Sequence, residues 1–140
     1  MSAEQLLSRL EGVRRTGPGR WVARCPAHPD RHPSLAIREL DDGRVLVHDF
    51  AGCAIESVLS AAGLTFADLY PRGAIAHACK RERHPFSAVD VLRAIAFEAT
   101  LVSIAAADLS RGRPLTEHDR VRLQVAYARI SAAMEETDHA

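Results

Sequence analysis

The segment Cys25-Pro-Ala-His28 restricts what this chain can become more than any other stretch. A thiol and an imidazole, both metal-binding groups, stand two residues apart. They lie within residues 25–33, where Pro26, Pro29 and Pro33 rule out a helix interior or a central strand. A tight turn at that spacing lets both side chains reach one ion. Cys53 follows about two dozen residues later, after two strand-like segments whose hairpin would return the chain to the first turn. Two such turns, or knuckles, sharing one ion over a small sheet make a zinc ribbon. The competing account is that Cys25 and Cys53 are simply small buried hydrophobes.

The segments around the knuckles have clear periodicities. Ser2 and Gln5 form a capping box for a first helix, along which Leu6, Leu7, Leu10 and Val13 recur at helical spacing until Gly12, Gly17, Pro18 and Gly19 end it. Residues 19–25 predict a short strand with Trp21 and Ala23 on one face and Val22 on the other. Leu35 and Ile37, then Val45 and Val47, alternate in two further strands, with Asp41-Asp42-Gly43 as the hairpin turn. Ile55, Val58, Leu59 and Ala62 mark a helix stopped by Gly63. Residues 71–86 lose periodicity and predict a linker.

Ser87 with Asp90 then starts a long helix with a stripe at Ala88, Leu92, Ile95, Ala99, Val102, Ala106 and Leu109, and a second apolar face at Phe97, Leu101 and Ile104. After Gly112 and Pro114, Thr116 with Asp119 starts another helix, with a stripe at Leu123, Tyr127, Ile130 and Met134. The expected architecture is α+β: a zinc ribbon with flanking helices over 1–70, a linker over 71–86, and an antiparallel helical hairpin over 87–136. The heptad-like stripe of the long helix suits either a dimer or packing against its own hairpin partner.

Composition narrows the function classes only a little. Acids and bases balance at 18 each, so net charge points to no partner. No apolar run approaches the roughly 18 residues of a membrane span, and the N-terminus has no signal-peptide core. A cytoplasmic setting is therefore expected, where three cysteines argue for metal ligation or burial rather than a disulfide framework.

Residues 24–37, Arg-Cys-Pro-Ala-His-Pro-Asp-Arg-His-Pro-Ser-Leu-Ala-Ile, followed by Gly-Arg-Val-Leu-Val-His-Asp-Phe-Ala-Gly-Cys at 43–53 and an amphipathic helix, resemble the zinc-binding domain of bacterial, phage and plasmid DNA primases. The resemblance covers about residues 4–70. It implies a zinc ribbon that helps engage single-stranded template, with Cys25, His28 and Cys53 on the family's ligand positions. Where those relatives carry the first Cys of a His-Cys-Phe-Ala-Gly-Cys knuckle, this chain has Asp49. Asp49 is then the expected fourth ligand, because zinc accepts a carboxylate oxygen. His48, His32 and water remain as alternatives. A water ligand would make the site catalytic in kind, but no identifiable acid or base motif accompanies it.

Arg9, Arg14, Arg15, Arg20 and Arg24 cluster in sequence around Trp21, a combination used for phosphate neutralisation and base stacking on single strands. The bland alternative places the arginines on solvated strand edges and Trp21 in the core. His77, Cys79 and His84 lie in the expected linker beside Lys80 and Arg81, which would repel a cation. No acidic cluster suited to primase chemistry is evident. The sequence thus predicts a non-enzymatic, zinc-binding accessory that binds single-stranded DNA in the replication of a phage or mobile element, with a replication protein as a further partner. A structural-zinc adaptor that docks a protein through the helical hairpin is the rival.

Overall fold

The computed structural model describes residues 3–71 and 86–138, so Ser2 and the segment carrying His77, Cys79 and His84 lie outside the described residues. Helix α1 (Ala3–Leu7) leads into strands β1 (Arg14–Gly17), β2 (Arg20–Ala23), β3 (Leu35–Glu39) and β4 (Val45–Asp49), followed by helix α2 (Ile55–Ala61) and a 3-10 turn at Phe66–Leu69. Two long helices, α3 (Ala88–Ser110) and α4 (Glu117–Asp138), complete an α+β fold. The strands form one antiparallel sheet in the order β1-β2-β3-β4.

The first helix is shorter than its periodicity suggests. Leu10 and Val13 lie beyond its end yet still pack on the core, while residues 14–17 form a strand that the helical reading passed over. Pro18 and Gly19 close a β1–β2 hairpin instead of merely stopping a helix. Gly19 takes φ 61°, and a Cβ there would stand 3.0 Å from the Glu39 carbonyl oxygen, so the tight approach of this turn to β3 needs glycine.

Cross-strand partners share a face, and the register therefore sorts the side chains. Trp21, Ile37 and Val47 align across β2, β3 and β4, as do Ala23, Leu35 and Asp49. The apolar members of this face meet α1 and α2 in the main core around Leu6, Leu35, Ile37, Val58 and Leu59, all at most 2% exposed. The opposite face carries Val22, Ala36 and His48. There Ala36 and Phe50 form a second, smaller core with Val91 of α3 and Ala133 of α4.

Ser87 caps α3, its side chain accepting from the Asp90 N–H, and Thr116 with Asp119 caps the start of α4. The inward faces of this helical pair differ from the expected stripes. On α4, Ala126 and Ala133 are buried, whereas Tyr127 is 74% exposed and Met134 59%. On α3, Val91 and Glu98 are buried with Ala94 and Ile95 beside them, while Leu92, Val102 and Leu109 face outward. The cause is electrostatic as much as apolar. Glu98, 3% exposed, is gripped by Arg129, whose Nη1 donates to Oε1 at 2.7 Å, and paired with Arg122, whose Nη2 lies 2.7 Å from Oε2. A carboxylate held by two guanidiniums turns the Glu98 side of α3 toward α4 and leaves Leu92, Val102 and Leu109 of the heptad-like stripe outward.

Candidate metal centre and its surroundings

The first knuckle is organised by Asp30. Its Oδ2 accepts from the Cys25 N–H at 2.9 Å, the Ser34 N–H at 3.3 Å and the Ser34 hydroxyl at 2.7 Å, and its Oδ1 accepts from the His32 N–H. Three prolines in this stretch have no N–H, so one carboxylate gathers donors that no regular ladder serves. The second knuckle starts where β4 ends. Gly52 N–H donates to the Asp49 carbonyl at 3.0 Å, and Gly52 itself takes φ 95°, a conformation that L side chains resist. Asp49 Oδ2 accepts from the Cys53 N–H at 3.0 Å, and Oδ1 from the Ala51 N–H at 3.3 Å.

These two turns bring Cys25, His28, Asp49 and Cys53 together, one donor atom from each within 4.8 Å of all the others. Cys53 Sγ lies 3.2 Å from His28 Nδ1, and Asp49 Oδ2 lies 3.8 Å from the same nitrogen. Four donors on bonds of about 2.0–2.3 Å in a tetrahedron have edges of roughly 3.3–3.8 Å. These two separations are close to those edges, so the four residues could hold a metal ion. His28 turns Nδ1 into the cluster and Nε2 toward Asp30 Oδ1, 3.7 Å away. An imidazole whose second nitrogen faces a carboxylate is the usual arrangement for orienting a ligating histidine.

The electrostatics of the cluster suit a bound cation. Asp49 is 4% exposed; burial alone would raise its pKa, but hydrogen bonds from Ser34, the Cys53 backbone and side chain, and the Ala51 backbone outweigh that and hold it below the usual carboxylate range. No Lys or Arg is paired with it among the described residues, and its charge is met by those hydrogen bonds and by His28 Nδ1 at 3.8 Å. Ser34 Oγ is also 2.7 Å from both Asp30 Oδ2 and Asp49 Oδ1, although a hydroxyl has one proton to donate. One of the two short contacts therefore lacks a proton, an O···O repulsion that nearby positive charge would offset. Burial also pushes the Cys25 thiol up to about 12, with Asp49 and Cys53 adding to the rise against a hydrogen bond from the Ala27 backbone. A bound cation reverses that preference by taking the thiolate as ligand.

His48, adjacent to Asp49 on β4, points to the other sheet face and packs edge-on against Phe50, with ring centroids 4.5 Å apart. His32 is likewise outside the cluster, stacked on Phe97 of α3 at 3.7 Å. The arginines near Trp21 are divided by the register. Arg15 aligns with Trp21, Arg14 with Val22, and Arg20 with Arg38 across β3, while Arg24 packs its stem under Gly12. Trp21 itself packs on the main core. Arg9 donates to the carbonyls of Ala62 and Gly63, tying α1 to the end of α2.

Several residues beside the centre carry no motif that would single them out. Asp30, between two prolines, has the turn-forming character of a short carboxylate, and this was the one available signal. Ser34, Phe97, Glu98, Arg122 and Arg129 acquire their roles only because α3 and α4 lie against the knuckle. Comparisons with protein-family models, with curated proteins and with solved structures return no match.

Proposed function

We propose that the chain binds one zinc ion through Cys25, His28, Asp49 and Cys53, as a primase-like zinc ribbon, and uses this module to engage single-stranded DNA. The observation that carries the zinc reading is the convergence of two thiols, an imidazole and a carboxylate within 4.8 Å. Two sulfur ligands favour zinc over the harder divalent cations, which select oxygen. With all four positions taken by protein, the ion would be structural, and its role would be to hold the two knuckles in register.

The DNA reading draws on the resemblance of residues 24–37 and 43–53 to primase zinc domains and on the arginines of the chain. The chain would then act as an accessory in the replication of a phage or mobile element, without primer synthesis of its own. Metal analysis of the purified, reduced protein should return one zinc per chain, and a folded protein without metal would overturn the assignment. Titration of the zinc-loaded protein with several single-stranded oligonucleotides at low salt tests the second half. Absence of binding there would favour the rival reading, a structural-zinc adaptor for a protein partner. The outward Leu92, Val102 and Leu109 of α3 favour that rival, because they offer an apolar surface.

A further inference from the structure

A trough runs between the first knuckle and the helical pair. Its larger part, about 610 Å³, is bounded by residues 28–34 on one side and by α3 and α4 on the other. A second part, about 360 Å³, continues it toward β1 and shares Pro33, Ser34, Phe50 and Arg93 with the first. We infer that this trough is the seat of a single DNA strand, its phosphates following the arginines and its bases stacking beside His32. The inference rests on the single-strand reading above and adds where the strand lies and that α3 and α4 form half of its site.

Charge is the first argument. The chain as a whole is neutral, but among the described residues the trough gathers six arginines, 14, 15, 31, 93, 122 and 129, against three acids, 30, 90 and 98. Arg14, Arg31 and Arg93 form no ion pair among the described residues. Arg122 and Arg129 share the single carboxylate of Glu98, so their two positive charges are met by one negative charge. The accessible parts of Arg122 and Arg129, whose side chains are each 29% exposed, face the trough with Arg31 and Arg93, and phosphate oxygens match guanidinium geometry. The local excess of cations therefore exists despite the zero total.

Shape and stacking favour a single strand over other polyanions. Each part of the trough falls within the ~300–1,000 Å³ of small-ligand pockets, room for separate nucleotides and not for a duplex. His32 lies flat on Phe97, with 25° between the rings, and is itself exposed, so its outer face is open to a base. The Arg122 guanidinium stands 5.9 Å from the centre of the same Phe97 ring. Stacked planar groups flanked by arginines are how sequence-tolerant single-strand sites are built.

The test is fluorescence anisotropy of a labelled oligothymidylate with the zinc-loaded full chain. Arg31→Ala combined with Arg93→Ala should weaken binding at least tenfold at low salt. It should also shallow the slope of log affinity against log salt by about 1.4, at roughly 0.7 per phosphate contact. His32→Ala should weaken binding roughly tenfold and erase the difference between oligothymidylate and an abasic strand of equal length. Arg111→Ala with Arg113→Ala, at the far end of the helical pair, should leave affinity unchanged, and circular dichroism should show every variant folded. If wild type binds and the Arg31/Arg93 variant binds equally well, the trough is wrong while the DNA reading stands. If wild type binds no single strand, the DNA reading falls and the trough proposal with it. Displacement of the strand by polyglutamate at matched charge would assign the trough to an acidic protein and overturn the proposal.

Discussion

At the scale of single residues, Asp49 and Cys25 are the most informative. Asp49 brings its carboxylate to the cluster, whereas its neighbour His48 packs on the opposite face of the sheet. Asp49→Ala should therefore lower zinc content and affinity, His48→Ala should leave both nearly unchanged, and Asp49→Cys should retain the metal. Competition with a colorimetric chelator measures all three, and loss of metal in the His48 variant alone would reverse the assignment. Cys25 predicts opposite pH behaviour with and without metal. Its folded pKa, about 12 against an ordinary 9.0, means that the metal-free folded chain keeps a proton that the unfolded chain releases. The stability it contributes is present below about pH 9 and declines as pH rises above that. With zinc bound the group is a thiolate, so protons compete with the ion and stability declines as pH falls. Melting temperatures of the two forms across pH should diverge in these directions, and parallel curves would argue against Cys25 as a ligand.

Among the elements, the α3–α4 pair depends on one buried polar knot. Glu98 sits between Arg122 and Arg129, each with a side chain 29% exposed. Removing one member of a fully buried pair costs about 3–5 kcal/mol, and partial exposure of the arginines reduces this. Glu98→Ala should then lose ~2–4 kcal/mol in denaturant unfolding, with Glu98→Gln losing less because it still accepts a hydrogen bond. An unchanged midpoint for both variants would mean that small-residue packing at Ala126 and Ala133 holds the pair by itself. The second knuckle depends similarly on Gly52, whose positive φ lets the chain turn from Asp49 to Cys53 within four residues.

For the whole molecule, the second core is the decisive contact. Phe50 lies on the second knuckle, and it packs with Ala36 against Val91 and Ala133 of the helical pair. Metal removal should therefore disturb more than the sheet. A strong chelator is expected to abolish the folded Trp21 fluorescence and most of the helical circular dichroism in one transition. The reason is that structural zinc contributes roughly 10–16 kcal/mol in small domains and the helices share their inner face with the knuckle. A helical signal that persists after Trp21 has reached its unfolded emission would show that α3 and α4 are stable without that contact.

Local chemistry alone determined much of this protein. Alternation placed Leu35 and Ile37 with Val45 and Val47 on one sheet face, Asp41-Asp42-Gly43 closed their hairpin, and the spacing of Cys25, His28 and Cys53 identified three members of the cluster. These signals are short-range, set by the pleat, by backbone conformation and by turn geometry, so they survive without knowledge of the fold. Only the tertiary structure decided which helical faces are covered. Apolar stripes on α3 and α4 competed with a single carboxylate, and the ion pairs of Glu98 turned the helices so that Tyr127 and Leu92 face outward. The β1 strand was likewise hidden, because Leu10 and Val13 reach the core from an irregular segment at positions that also suit a helix. The gathering of distant arginines at the trough was hidden too, since it depends on how the helical pair lies across the knuckle, and periodicity carries no information about contacts between elements.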